Sequence, residues 1–346
     1  MKLFKKLSGI IAFSFMFSLI FIYSNAKAET IDSSTSEEVN NAKDCNPSPE
    51  FKYVKIAKDK YIRVKDLGNK DSEITVVLSS AYGDGIYHMI DENTSKQHYE
   101  KIQNDLVAAG YRVIVYDRLG LGESSDISNF PAVLTDEQIN LYLENKPFNF
   151  DFTKVLRSGL LGGKTAYNRG LQFTTLIKNL GVKGKVICAP HSISGWEVDY
   201  AATEVETNPQ KYDYDIVGVV GIDITWPTNP REVVNWLKVS IPSMLNDYIG
   251  QFTNQDGNLS EVIISGSMLE NSNNKHNIPL TLLHSIDVNN PPELQALSDA
   301  GTQFWLNRFV NVDTKQQNVY SNHYIMEDDP DSITNAILEM IEQVKN

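Results

Sequence analysis

Two cysteines in 346 residues leave nothing from which to build a disulfide scaffold. Cys45 lies in a polar stretch and Cys188 in a β-branched run; a single bridge between them stays open. Basic side chains are also scarce, 31 against 44 acidic ones, for a formal charge of −13. A chain short of positive charge is a poor partner for nucleic acid or an anionic lipid surface, since both require a basic face. No internal repeat is present. There are only six histidines, so any chemistry that needs an imidazole has few candidates.

What is there begins with a leader. Lys2, Lys5 and Lys6 precede an apolar run from Leu7 to Tyr23, and Ala26-Lys27-Ala28 supplies small residues for cleavage. This pattern is a secretory signal peptide over residues 1–28, with a retained membrane anchor as its alternative. No cysteine stands near Ala28 to carry a lipid. Removing the four lysines of this segment takes the basic count from 31 to 27 against 44 acids, and the charge from −13 to −17. Residues 29–50 are polar, rich in Ser and Glu, and expected to form a flexible mature N-terminus. The remainder, 51–346, is long enough for one large α/β domain, and 41% apolar residues suit a globular core.

Tyr53–Ala57 and Tyr61–Lys65 alternate about Lys58-Asp59-Lys60 and predict a β-hairpin. Ile74–Leu78 is a continuous apolar run, hence a buried central strand, and it empties into the small-residue loop Ser79–Gly85. Tyr99, Ile102, Leu106 and Ala109 mark a helix that Gly110 ends. Tyr111–Tyr116 is the next strand, followed directly by Asp117-Arg118-Leu119-Gly120-Leu121-Gly122-Glu123-Ser124. Thr135 and Gln138 form a capping box before a short helix. Leu160–Gly163 is an apolar, Gly-containing stretch placed to overlie a pocket. Phe173, Leu176, Ile177 and Leu180 repeat at helical spacing up to Gly181.

The next stretch organises the rest. Lys185–Ala189 is a β-branched strand that turns sharply through Pro190-His191-Ser192-Ile193-Ser194-Gly195. Beyond it Val198, Ala201, Ala202 and Val205 recur at i, i+3, i+4 and i+7. A serine at the apex of a strand-to-helix turn is a nucleophile elbow, with an exposed hydroxyl above a helix N-terminus. The usual pattern has glycine two residues before and two after the serine; Pro190 and Ser194 stand there instead.

Strand, small-residue loop, helix, strand, D-R-x-G-x-G-x-S and a serine elbow one helix later together resemble the α/β-hydrolase superfamily, from about residue 50 to the C-terminus. The resemblance implies a mostly parallel central sheet flanked by helices, with a helical cap inserted between the sixth and seventh strands. Residues 224–275 interrupt the strand rhythm after Ile216–Ile222 and would be that cap. Its apolar residues, among them Trp226, Trp236, Ile241, Met244, Leu245 and Phe252, imply an apolar substrate pocket.

Serine needs a base to take its proton, and the base needs a carboxylate to orient and stabilise it. Of the histidines, His323 alone follows a terminal strand and precedes the closing helix, which is where the superfamily keeps its catalytic histidine. His191 adjoins Ser192 and should point away from it; His284 belongs to a strand interior. For the acid, Asp287 past the seventh strand is the expected residue and Asp223 past the sixth the alternative. The expected triad is therefore Ser192, Asp287 and His323, with the backbone N–H groups of Tyr82 and Ile193 as oxyanion hole. Relatives often carry His-Gly where this chain has Ser80-Ala81.

The reading that results is a secreted serine hydrolase, carboxylesterase- or lipase-like, acting on a small-molecule ester or acyl substrate. It implies no metal or organic cofactor, no nucleic-acid partner and no stable membrane insertion once the leader is removed. The oligomeric state is left open. Two alternatives accompany it. A peptidase of the prolyl-iminopeptidase kind would use Glu261 or Glu270 to hold a free amine, and a hydrolase-fold binding protein would have lost catalysis.

Overall fold

The computed structural model describes residues 51–81, 87–88, 96–97, 99–122, 124, 134–149, 164–245 and 259–345. The leader, the polar tail with Cys45, Tyr82 and Leu160–Gly163 lie outside these residues.

Eight strands make one sheet: β1 (Phe51–Ala57), β2 (Lys60–Gly68), β3 (Ile74–Ser79), β4 (Arg112–Tyr116), β5 (Gly184–Pro190), β6 (Tyr214–Ile222), β7 (Leu280–Ser285) and β8 (Lys315–Val319), in the order β1-β2-β4-β3-β5-β6-β7-β8. The β1–β2 and β2–β4 pairs are antiparallel and the other pairs parallel. Asp59 turns the first hairpin at φ 57°, a left-handed conformation that Asp tolerates better than most residues. The parallel strands β3 and β4 are buried along their whole length. That is why they read as unbroken apolar runs and not as alternation.

Between the strands run α1 (Glu100–Ala108), α2 (Asp136–Leu143), α3 (Ala166–Asn179), α4 (Ser194–Thr207), α5 (Asn229–Ser240), α6 (Leu259–Asn271), α7 (Pro292–Arg308), α8 (Ile325–Asp328) and α9 (Pro330–Lys345). A two-residue ribbon, Tyr87–His88 with Lys96–Gln97, lies outside the sheet. Ile102 and Leu106 of α1 share one core with Ile333, Ile337, Met340 and Ile341 of α9. Phe173, Leu176 and Ile177 of α3, Val198, Ala201, Ala202 and Val205 of α4, and Trp305 of α7 share the other. Alternate strand residues feed the two cores: Val77 goes to one, Val76 and Leu78 to the other. Each such fully buried aliphatic side chain stabilises the fold by about 1.5–3 kcal/mol.

The helix ends follow their sequence signals. Thr135 and Gln138 cap α2 reciprocally, Gly110 and Gly181 take φ 94° and 65° just past α1 and α3, and the Asp329 carboxylate accepts from Ser332 N–H at the start of α9. Helices α5 and α6 lie between β6 and β7, where the inserted cap was expected. They do not stand alone. Val234, Leu237, Ile263 and Ile264 pack with Leu134, Tyr142 and Leu143, so α2, from the β4–β5 connection, belongs to the same apolar cluster.

The motif after β4 is a structural knot. Asp117, fully buried, accepts from Arg63 Nε at 2.5 Å. Ser124 Oγ donates to Asp117 O and accepts from Arg63 N–H. Gly122 sits at φ 52°, and a Cβ there would come within 2.4 Å of the Asp117 carboxylate. Arg118 leaves the knot in the other direction, toward the end of β5.

Candidate functional site

Strand β5 lies in the middle of the sheet, between β3 and β6, and its chain turns into α4 within three residues. Ser192 at the apex has φ 58°. For a serine this left-handed backbone costs about 1–3 kcal/mol, and such strain persists only where surrounding contacts hold it. Here Ser192 N–H donates to Ile222 O at 3.1 Å, Ser194 N–H to His191 O at 3.1 Å, and Gly195 N–H to Ser192 O at 3.2 Å. Gly195 is required by proximity: a Cβ would meet the Ile224 side chain at 2.9 Å. Pro190 closes β5 without a donor, and His191 N–H resumes the ladder by donating to Ser79 O at 2.9 Å. Ile193 N–H has no hydrogen-bond partner among the described residues.

One of the two departures from the usual elbow, Ser194, makes a contact of its own. Ser194 Oγ donates to the carbonyl of Ser80, and Arg118 donates to the carbonyl of Ala81 while its other nitrogen reaches Glu197 Oε1 at 2.5 Å. The loop leaving β3 is thus tied to the first turn of α4 by a hydroxyl and by a buried guanidinium. Arg118 acts as this tie.

His323, between β8 and α8, lies beside the elbow. Its carbonyl accepts from His191 Nε2 at 2.9 Å and the two rings stand 4.5 Å apart, which explains why His191 is turned away from the serine. The His323 Nδ1 lies 2.6 Å from Asp223 Oδ2. The acid beside this histidine is therefore Asp223, and the preference for Asp287 is corrected. Asp287 spends Oδ1 on its own turn, accepting from Asn289 N–H at 2.8 Å and from Asn289 Nδ2 at 3.1 Å. Asp223 leaves β6 at φ 40°, which swings its carboxylate across the end of β7. There it accepts from Ser285 N–H at 3.0 Å and from Ser285 Oγ at 2.8 Å.

Asp223 serves a second imidazole as well. His284 Nδ1 stands 3.5 Å from Asp223 Oδ1, while His284 Nε2 lies 2.8 Å from Asp299 Oδ1 and is flanked by Gln295. Burial opposes ionisation of Asp223, but the bonds and positive charge of His284 and His323 outweigh it and hold the carboxyl well below the usual range. Burial likewise opposes protonation of His284; Asp223 and then Asp299 overcome it and raise the imidazole. Sequence placed His284 in a strand interior; its role becomes visible only once β6 and β7 are known to be neighbours.

The sign of the pH effect follows. A histidine raised on folding stabilises fully below its unfolded value, and that gain is lost as pH rises through the folded value. Asp223 acts oppositely, above the ordinary carboxylate range, so near neutrality His284 governs the trend. His284→Gln is expected to destabilise more at about pH 5.5 than at about pH 8.5. Urea midpoints of the two proteins at both pH values would check it, and an equal gap at both would sink it.

Sequence also gave no hint of Thr225. Its hydroxyl lies 3.1 Å from Ser192 Oγ.

The described space beside Ile193 differs from the apolar pocket implied by the cap composition. It is lined by Arg118, Lys164, Arg169, Glu197 and Glu261 together with Ile193 and Trp196, and holds about 20 Å³, room for roughly one water. The apolar cap residues pack mainly on one another. Glu261 shares this space with three cations, and Glu270 faces Arg231 at 3.7 Å, so neither offers an isolated negative charge for an amine. Cys188 is buried and free, its thiol pushed up by burial. Among the described residues no group of three or more His, Cys, Asp and Glu is arranged to hold a metal ion, and no helix is long and apolar enough to cross a membrane.

No protein-family model matches the chain, and no curated protein does. Solved structures do. The chain is similar to the epoxide hydrolase CorEH, with TM-score 0.50 and 12% identity over 85% of this chain and 100% of that one. It is similar to a putative hydrolase from Agrobacterium vitis S4, with TM-score 0.50 and 15% identity over 84% and 97%. An esterase from Exiguobacterium antarcticum aligns with TM-score 0.46 and 14% identity over 84% and 98%.

Proposed function

We propose that this chain, an α/β hydrolase by fold, is a secreted serine hydrolase that cleaves carboxylic esters through an acyl-enzyme. The observation that carries the reading is the His323–Asp223 pair at 2.6 Å, set beside a serine held at φ 58° on a strand-to-helix turn. A conformation strained at one residue and a carboxylate fixed by four partners have no structural need of each other; nucleophilic catalysis needs both.

In this reading Ser192 Oγ attacks the acyl carbon and passes its proton to His323 Nε2. Asp223, bonded to Nδ1, selects the tautomer with Nε2 free to act as base and stabilises the imidazolium that forms. The carbonyl π electrons move to oxygen, which the N–H of Ile193 and that of Tyr82 would receive. Collapse expels the alcohol with the proton from His323, and water repeats the sequence to release the acid.

Export rests on the N-terminal pattern of Lys2, Lys5, Lys6, an apolar run and Ala26-Lys27-Ala28. One experiment tests both parts. Culture supernatant is treated with a fluorophosphonate, then analysed by intact mass and peptide mapping. The expected species begins at Glu29 and carries phosphonate on Ser192. Phosphonate on Ser194 would refute the assigned nucleophile, and residues 1–28 still attached would refute cleavage.

A further inference from the structure

Thr225 is held more firmly than a loop residue three positions past a strand needs to be. Its N–H donates to Ser192 O at 3.2 Å. Its carbonyl accepts from two indoles, Trp196 Nε1 at 2.6 Å and Trp305 Nε1 at 3.2 Å, and both tryptophans are fully buried. Between Thr225 and Asp223, Ile224 is wedged against Gly195 and Gly221, where a Cβ would meet its side chain at 2.9 Å in each case. The backbone is pinned on all sides, and the hydroxyl is presented 3.1 Å from Ser192 Oγ.

A serine hydroxyl has one proton and two lone pairs. At 3.1 Å either hydroxyl can donate to the other; once the Ser192 proton passes to His323, as the proposed mechanism requires, the Thr225 hydroxyl can only donate to Ser192 Oγ, and one lone pair stays available for attack. We propose that Thr225 is a further catalytic residue, donating a hydrogen bond to Ser192 Oγ that assists the departure of this oxygen from the acyl-enzyme. The proposal rests on Ser192 being the nucleophile.

The two half-reactions use this bond differently. In acylation Oγ loses electron density as its bond to carbon forms, so a donor to Oγ gains nothing. In deacylation water attacks the acyl carbon, a water proton passes to His323, and the π pair moves to the carbonyl oxygen. On collapse that pair re-forms C=O, the C–Oγ bond breaks with its electrons going to Oγ, and His323 returns a proton to Oγ. Negative charge builds on Oγ in this second step, and a donor already aimed at it strengthens as the charge grows. Thr225 keeps its own proton throughout.

The experiment uses p-nitrophenyl acetate, whose good leaving group makes acylation fast, with burst and steady-state kinetics on the full mature chain. Thr225→Val, nearly isosteric, is expected to lower kcat about tenfold and KM by a similar factor, leaving kcat/KM within about twofold and the burst amplitude near one per site. Thr225→Ser should restore kcat, and Thr225→Ala should show the same split should the valine variant not fold. A fall in kcat/KM at unchanged KM would mean that Thr225 merely aligns Ser192, and would overturn the proposal; so would unchanged or faster turnover. Ester hydrolysis persisting in Ser192→Ala would instead remove the nucleophile assignment beneath it.

Discussion

Asp223→Asn is expected to lower kcat by about four orders of magnitude, while Asp287→Asn leaves it within a few-fold. The carboxamide keeps the shape of the side chain but can present its NH2 to His323 Nδ1. That locks the imidazole in the tautomer whose Nε2 carries a proton and cannot take one from Ser192. The effect is larger here than simple loss of a charge, because Ser285 N–H donates to Asp223 Oδ1 and would hold the amide oxygen there, leaving the NH2 at the Oδ2 position beside His323 Nδ1. Among the described residues Asp287 accepts only from its own turn at Asn289, so its amide would disturb a local loop. Steady-state ester hydrolysis by the two folded variants decides the matter. A loss at Asp287 comparable with that at Asp223 would return the acid to the seventh strand.

Asp117→Ala should destabilise the fold by about 3–5 kcal/mol, the range for removing one partner of a buried ion pair. The Arg63 and Asp117 side chains are 6% and 0% exposed, so the guanidinium left behind cannot recover water. The loss extends beyond the pair, since the Asp117 carboxylate also packs under Gly122 and its backbone holds Ser124. Urea or guanidinium unfolding reads the change directly, and a shift under about 1 kcal/mol would mean that the pair behaves like a surface contact. Asp117→Asn, which keeps the shape, should lose less.

Much of the architecture is legible in the residues because local chemistry and tertiary structure agree there. Ile74–Leu78 is a continuous apolar run because both faces of a parallel strand are covered, and Thr135 with Gln138 announces its own helix. The elbow could be found by its small, crowded residues, although two were not the usual ones. The acid could not be chosen this way. Asp223 and Asp287 each follow a strand, and what separates them is a backbone at φ 40° that turns one carboxylate toward His323, a property with no signature in a single aspartate. Thr225 and His284 were invisible for a related reason: each acts across a strand or loop neighbour distant in sequence.

The bond from Ser194 to the Ser80 carbonyl also bears on redesign. The chain departs from the usual pattern at the elbow and at the loop after β3, and a consensus approach would restore each separately. The bond itself runs to a backbone carbonyl, which any residue at position 80 would offer. Returning Ser194 to glycine removes a donor from a buried carbonyl, where a lost partner costs about 1–3 kcal/mol, and loosens the first turn of α4 at the same stroke. Ser194→Gly is therefore expected to destabilise on its own, whichever side chains stand at positions 80 and 81.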